Sequence, residues 1–328
     1  MLAQFSCCYT RERREVVVAE PHCKDSEANT VAVESHGTSN NALNEDPFSY
    51  TKQENSDYTL VKKTISSMSV DVDDREVFSA DDPRLVETVE LATQLLPGGE
   101  ATPWQRAWCT TENVSRFLRG RRGDPEEAAK ILAQALQWRS SFEAVLSGQR
   151  VPRWQGDLRV IARGDRGHTI VYGCFRHMPP NKSTADAIDH MAVVLEAWHS
   201  GLRQGATQGD FVLDCLGFRL LDNLQPAILL SMVRAMQQPF RDCLRTAIIV
   251  DAPRSFEVIW RTASPLLRPA TKRKVQFLSC EGAVALAHAA HGAQVANKLE
   301  RVMRLNRTAE GCTPARFPSE VEGHDGLS

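Results

Sequence analysis

Two carboxylates stand where an enzyme of the α/β class would keep its chemistry. Asp214 and Asp251 lie at the ends of the apolar runs "DFVLDC" (210–215) and "TAIIVDA" (246–252), and open α/β sheets handle ligands at the carboxyl ends of their strands. General acid–base catalysis needs a second group within hydrogen-bond reach, and the sequence offers no partner for either Asp. An Asp that ends a strand also commonly accepts backbone N–H bonds and starts the next turn. His190 and His199 share one predicted helix without the H-E-x-x-H spacing of a zinc site. G-x-x-x-x-G-K-[ST], G-x-G-x-x-G and G-x-S-x-G are all absent, which argues against the usual nucleoside triphosphatases, dinucleotide enzymes and serine hydrolases. The reading assigns no catalytic residue, no metal and no cofactor.

The elements that hold these residues differ along the 328-residue chain. Residues 1–100 carry 9 Lys/Arg against 19 Asp/Glu, a net of −10, and the remainder carries +8. Residues 1–80 are polar and acidic, with few large aliphatic groups, and are expected to be disordered. Within them, Cys7 and Cys8 beside Arg11, Arg13 and Arg14 read either as an acylation site or as ordinary thiols. Asp46-Pro47-Phe48 is the kind of tripeptide that some endocytic adaptor domains bind. The nine Cys form an odd set without C-x-x-C, so no disulfide framework is expected. No leader-like start and no apolar run of about 18 residues appears, which predicts a cytoplasmic chain.

Residues 82–150 predict a small helical bundle. Asp82 caps a helix with Pro83 at its first position and Leu85, Val86, Val89, Ala92 and Leu96 on one face. Thr111 caps a second, with Val114, Phe117 and Leu118 inward. Asp124, Pro125 and Glu127 open a third that carries Ala128, Ile131, Leu132, Ala135, Leu136 and Trp138. Residues 151–305 then alternate strand-length runs (168–175, 210–215, 246–252, 275–279) with helices (185–202, 224–240, and a segment after Pro253). Such alternation predicts a mixed or parallel sheet with helices packed on it. An Ala-rich helix follows from about Glu281, and residues 306–328 are expected to be a flexible tail.

Phe256, Ile259, Trp260 and Ala263 recur at helical spacing after Pro253, and Leu266 and Leu267 extend the apolar face. Arg268, Lys272, Arg273 and Lys274 follow as a basic cluster. This pattern fits an amphipathic helix covering an ordinary core. It equally fits one that closes over a hydrophobic ligand and meets anionic lipid heads.

Several of these stretches, in order, resemble the CRAL-TRIO lipid-binding family. "VSRFLRGRRGDPEEAAKILAQALQWR" (114–139) is similar to its N-terminal helical module; "DRGHTIVYGCF", "FVLDCLGF" and "AIIVDAPRSFEVIWRTASPLLRPATKRKVQFLS" resemble its first strand, its D-x-x-G turn, and its A-P, gate-helix and T-x-x-K segment. The resemblance spans about residues 113–279. It implies a helical module on an α/β lobe whose mixed sheet floors a hydrophobic pocket, gated by the helix after Ala252-Pro253. The implied pocket residues are Phe211, Leu213, Phe240 and Ile249, the gate runs from Phe256 through Leu267, and Lys274, Arg268, Lys272 and Arg273 would meet a headgroup or membrane. In phosphatidylinositol-transfer members two hydroxyl residues, a Glu and a Lys hold the headgroup. The matching positions here are Gly209, Phe211, Phe240 and Lys274, so only the Lys is kept and the polar space would become apolar. A phospholipid, sterol, or tocopherol- or retinoid-like lipid is the implied ligand. The implied function is binding it and transferring or presenting it between membranes through transient peripheral contact, with no nucleic acid. The alternatives are a non-transferring lipid sensor or adaptor that recruits partners through its N-terminus and, further off, an enzyme.

Overall fold

The computed structural model describes residues 78–153, 156–176, 183–223, 226–308 and 320. Cys7, Cys8, Asp46-Pro47-Phe48 and nearly all of the acidic segment expected over residues 1–80 lie outside them.

The chain enters through helix α1 (Pro83–Gln94), where the Asp82 carboxylate accepts from the N–H of Arg84. Leu85, Ala92 and Leu96 of the predicted face are buried, whereas Val86 is turned to solvent. Helix α2 (Pro103–Trp108) was not anticipated. Its six residues are too few to show a period, but Thr102 and Gln105 cap each other's backbone N–H reciprocally. Helix α3 (Thr111–Arg119) is capped by Thr110, one residue before the expected Thr111. Helix α4 (Pro125–Ser141) begins at the predicted Asp124, whose carboxylate accepts from the N–H groups of Glu126 and Glu127, and a short helix α5 (Glu143–Leu146) follows. Val114, Phe117, Leu118, Leu132 and Leu136 form the core of this module.

The lobe is built on one five-stranded sheet: β1 (Asp157–Arg163), β2 (Thr169–Cys174), β3 (Gly209–Asp214), β4 (Leu244–Val250) and β5 (Val275–Leu278), in the order β1-β2-β3-β4-β5. β1 pairs antiparallel with β2, and all later pairs are parallel. The crossovers are α6 (Thr184–Ser200) before β3, then α7 (Leu220–Asn223) and α8 (Pro226–Gln237) before β4. Between β4 and β5 lie α9 (Phe256–Ala263), a 3-10 turn (Ser264–Leu266) and α10 (Pro269–Lys272). A sheet that grows in one direction through crossovers of one hand sets its crossover helices on one face. The other face needs separate cover, and α11 (Cys280–His291) and α12 (Ala293–Arg307) supply it by packing on Ile161, Ile170, Tyr172, Val212, Ile248 and Val250. The expected single Ala-rich helix is therefore two, divided at Gly292, and the second runs to Arg307, past the expected boundary at 305.

β1 was the strand the sequence concealed. Asp157 and Arg159 look like solvent positions but are buried as a pair. The helical module is tied to the lobe by Arg139, which lies over Trp104 and Trp108 and binds Glu196 of α6 in a two-pronged pair, with Nη2 to Oε1 at 2.9 Å.

The carbonyl of Leu158 on β1 accepts from Nε2–H of His190 at 2.9 Å. Burial disfavours the imidazolium and pushes His190 down to about 4. The unfolded chain, with an ordinary His, therefore takes up this proton first as pH falls, and folding loses stability below about pH 6.5. Between pH 7 and pH 4.5 His190 should account for a loss on the order of 2–3 kcal/mol. Urea midpoints at the two pH values check this, and His190→Gln should flatten the dependence.

Candidate functional site

The sheet face beneath α6, α8 and α9 is divided into two parts. Phe211 and Phe240 belong to the first, with Trp198 between them: ring centroids are 5.0 Å apart for Trp198 and Phe211 and 6.5 Å for Trp198 and Phe240. Phe240 also meets Trp138 of the helical module edge-on at 5.7 Å. This packing accounts for Gly209. A Cβ on that residue would stand 2.2 Å from Trp198 Nε1 and 2.5 Å from the carbonyl oxygen of Thr169. No hydroxyl-bearing side chain fits there, so the space is held by a fully buried indole.

Leu213 and Ile249 lie on the same face in the second part, among Phe277, Phe256 and Trp260. Here aromatic rings form a continuous chain of edge contacts: Phe175 to Phe218 at 5.1 Å, Phe218 to Phe256 at 5.4 Å, Phe256 to Phe277 at 6.4 Å and Trp260 to Phe277 at 5.5 Å. Phe256 is buried and Trp260 half-buried, while the side chains of Ile259 and Ala263 fall outside the described ones. Leu266 is exposed, as is Val258 on the outer side of α9. Of the expected gate residues whose side chains are described, Phe256 is buried, Trp260 and Leu267 are half-buried and Leu266 is exposed. Phe218 was missed in the sequence, although it directly follows the D-x-x-G turn. Gly217 of that turn has φ +74°, and a Cβ there would meet the Cα of Arg176 at 2.6 Å.

A cavity of about 30 Å³ is lined among others by Phe240, Leu244, Leu267, Arg268, Thr271 and Lys274. It brings together Phe240, Leu267, Arg268 and Lys274 of the expected site. The charged residues of its wall are Asp242, Arg268 and Lys274. Asp242, at φ +59°, meets Arg268 at 3.0 Å and Arg241 at 3.5 Å, and Lys274 Nζ donates to the carbonyl of Leu244 at 2.6 Å. Burial and the neighbouring guanidinium of Arg268 hold Arg241 below its usual pKa, despite Asp242. Lys272 is half-buried and Arg273 exposed.

The strand-end carboxylates are occupied by structural contacts. Asp214 is wholly buried and accepts from the hydroxyl of Tyr172 (2.9 Å), the N–H of Leu216 (3.0 Å) and both terminal nitrogens of Arg307 (2.6 and 3.2 Å). Asp251 shares the same guanidinium at 2.8 Å. His190 and His199 do not converge on a metal site, and no group of three metal-ligating residues occurs among the described residues.

Comparison with known proteins identifies the lobe, since residues 158–298 match the family described as the CRAL/TRIO domain. The lobe is a CRAL/TRIO domain. A curated relative is the phosphatidylinositol transfer protein CSR1 of Eremothecium gossypii, 22% identical over 218 residues, which are 60% of this chain. The match spans half the relative's length. A solved structure, that of Sfh5, matches with a TM-score of 0.42 and 16% identity, over 51% of this chain and 67% of that one. The CRAL/TRIO match begins at Leu158, so it includes the β1 that the sequence reading passed over.

The aromatic chain under α9 makes a direct test. Phe256→Ala should lower unfolding free energy by about 3 kcal/mol, the usual cost of deleting a buried ring. Half-exposed Trp260 should cost less when cut to Ala. Urea unfolding of both variants decides, and equal, near-zero losses would mean that α9 is not packed as described.

Proposed function

We propose that the protein binds a hydrophobic lipid between the sheet and α9 and carries or presents it at membranes, without covalent chemistry. The observation that carries this reading is that, within a stretch matching the CRAL/TRIO domain, the short helix α9 rests on the sheet through aromatic rings while Leu267, Arg268 and Lys274, which follow it in the chain, line a cavity with Phe240 and Leu244. The apolar part suits an acyl chain or ring system, and the cationic part an anionic or weakly polar head. The relative's printed name, a phosphatidylinositol transfer protein, supports a lipid ligand. Trp198 and the absence of room at Gly209 favour a head other than inositol held through hydroxyl partners.

A cavity of about 30 Å³ holds roughly one water, whereas ligand pockets commonly need about 300–1,000 Å³. Lipid entry therefore requires α9 to lift and the five rings to repack. Helix α9 suits such movement: it spans eight residues, no side chain caps its start, and Val258 and nearby Leu266 already face outward. A helix this short owes its stability to its contacts rather than to itself. Burying a sixteen-carbon chain gains about 12 kcal/mol, so release into water is too slow to be useful. Release into a bilayer, with α9 in the interface and Lys272 and Arg273 against anionic heads, avoids that cost.

The decisive experiment is to purify the protein natively, identify co-purifying lipid by mass spectrometry, and measure that lipid's transfer between vesicles. A bound lipid that moves only when the protein is present is the expected result; a native protein without lipid and without transfer sinks the proposal, and binding without transfer favours the sensor reading. Trp260 emission should shift to the blue with anionic vesicles. Lys272→Ala/Arg273→Ala should weaken that response roughly thirtyfold, at about 1 kcal/mol per cation.

A further inference from the structure

β1 is an edge of the described sheet, and an edge strand presents backbone groups that need partners. Its outward carbonyls alternate. That of Leu158 is taken by His190 of α6. That of Val160 accepts from the backbone N–H of Glu320 at 2.8 Å, across 160 residues of sequence. The Glu320 carboxylate is gripped from two sides: Arg159 Nε donates to Oε1 at 2.6 Å, and Lys298 of α12 binds Oε2. Burial disfavours the ionised Glu320 carboxylate, but Lys298 and Arg159 outweigh it and hold the group below its usual range.

The arrangement has the parts of a peptide-recognition site. A main-chain hydrogen bond to a sheet edge gives a general affinity for extended backbone, and side-chain contacts beside it give specificity. Here the specificity element is a pair of cations from two elements, one withdrawn from water (Arg159, 3% exposed) and one at the surface (Lys298, 38%). The buried cation holds its ligand by a charge-assisted bond, and the surface one leaves the clamp open to exchange. Around Glu320 the chain reads "FPSEVEGHDG" (317–326), which carries Glu320, Glu322 and Asp325 and no Lys or Arg. The bound residue is thus part of an acidic stretch.

We propose that the outer edge of β1, with Arg159 and Lys298, is a docking site for an extended acidic peptide segment of a partner protein, which the chain's own Glu320 occupies in cis. A tethered occupant competes at an effective concentration near millimolar, so a partner's segment gains the edge when its affinity or local concentration exceeds that of the tail. The site lies on the β1 edge and α12, away from α9, and stands independently of the lipid reading.

The test uses the full chain and a fluorescent synthetic peptide of residues 317–326. Glu320→Lys in the chain sets a cation against Arg159 and Lys298 and vacates the site. The peptide should then bind that variant at least tenfold more tightly than it binds the unaltered chain, with the anisotropy signal falling as salt rises. Adding Lys298→Glu, or giving the peptide a Glu320→Ala change, should remove most of this binding. Far-ultraviolet circular dichroism identical to that of the unaltered chain controls for folding. Absence of binding to a folded Glu320→Lys chain overturns the proposal, as does equal binding to both chains or binding indifferent to Lys298.

Discussion

The carboxylate of Asp214 joins the two layers of the lobe. It has no contact with water, and an isolated charge in that position would cost several kcal/mol. Its partners come from three elements: Tyr172 of β2, the turn at Leu216, and Arg307 at the end of α12. Asn306 completes the group by donating to both the Tyr172 oxygen and Asp157 of β1. The last turn of α12 is thereby fastened to the amino end of β1 and the carboxyl ends of β2 and β3. The same carboxylate fixes the turn that sets Gly217 against Arg176 and delivers Phe218 to the opposite face of the sheet, under α9. One residue thus orients the C-terminal helices on one side and the aromatic interface on the other. A polar group so committed holds geometry.

On the proposed function, the face that carries the candidate site is firm at one end and yielding at the other. At the firm end Trp198, Phe240 and Trp138 bridge lobe and helical module, and Arg116 donates to the carbonyl of Pro239 next to Phe240 at 3.2 Å. Helix α6, seventeen residues long and capped by Ser183, supports this end. At the yielding end α9 is less than half that length, and its Phe256 and Trp260 pack there against Phe277. Local opening follows the weaker contacts. The cavity with Arg268 and Lys274 lies next to Phe240 and is lined in part by residues that follow α9 in the chain.

How much of this could be read from the sequence depended on the distance over which each signal acts. The caps at Asp82 and Asp124 and the runs that became β2 to β5 are local, and they lie within a residue or two of expectation. Thr110 took the cap expected of Thr111, since two adjacent threonines offer the same chemistry. β1 was hidden because its charged residues are satisfied from afar: Arg159 by Glu320, and Asp157 by Asn306, which is 149 positions away. Asp210, Arg245 and His291 likewise meet in a buried cluster that spans 81 positions. The break at Gly292 was masked by apolar spacing that continues through it, although its φ of +88° admits little but glycine. Within the site, the exclusion at Gly209 was legible only as a missing hydroxyl. That an indole fills the space needed the packing of α6 against β3.

The aromatic chain also sets the energetics of opening. Each edge contact between rings is worth about 0.5–1.5 kcal/mol beyond the area it buries, and four such contacts join the five rings. Lifting α9 into water would forfeit the three that involve Phe256 or Trp260 and also expose ring surface, at roughly 1.5–3 kcal/mol per fully buried side chain. With an acyl chain in place, or in contact with a bilayer, the rings exchange one apolar neighbour for another and only the ring-to-ring geometry is lost, on the order of 1.5–4.5 kcal/mol for the three contacts. An acyl chain's gain of about 12 kcal/mol exceeds that loss. On the proposed function the same five rings therefore keep α9 shut in water and let it open where a lipid or a membrane replaces their contacts, so that the filler of the closed lobe is also what makes opening selective.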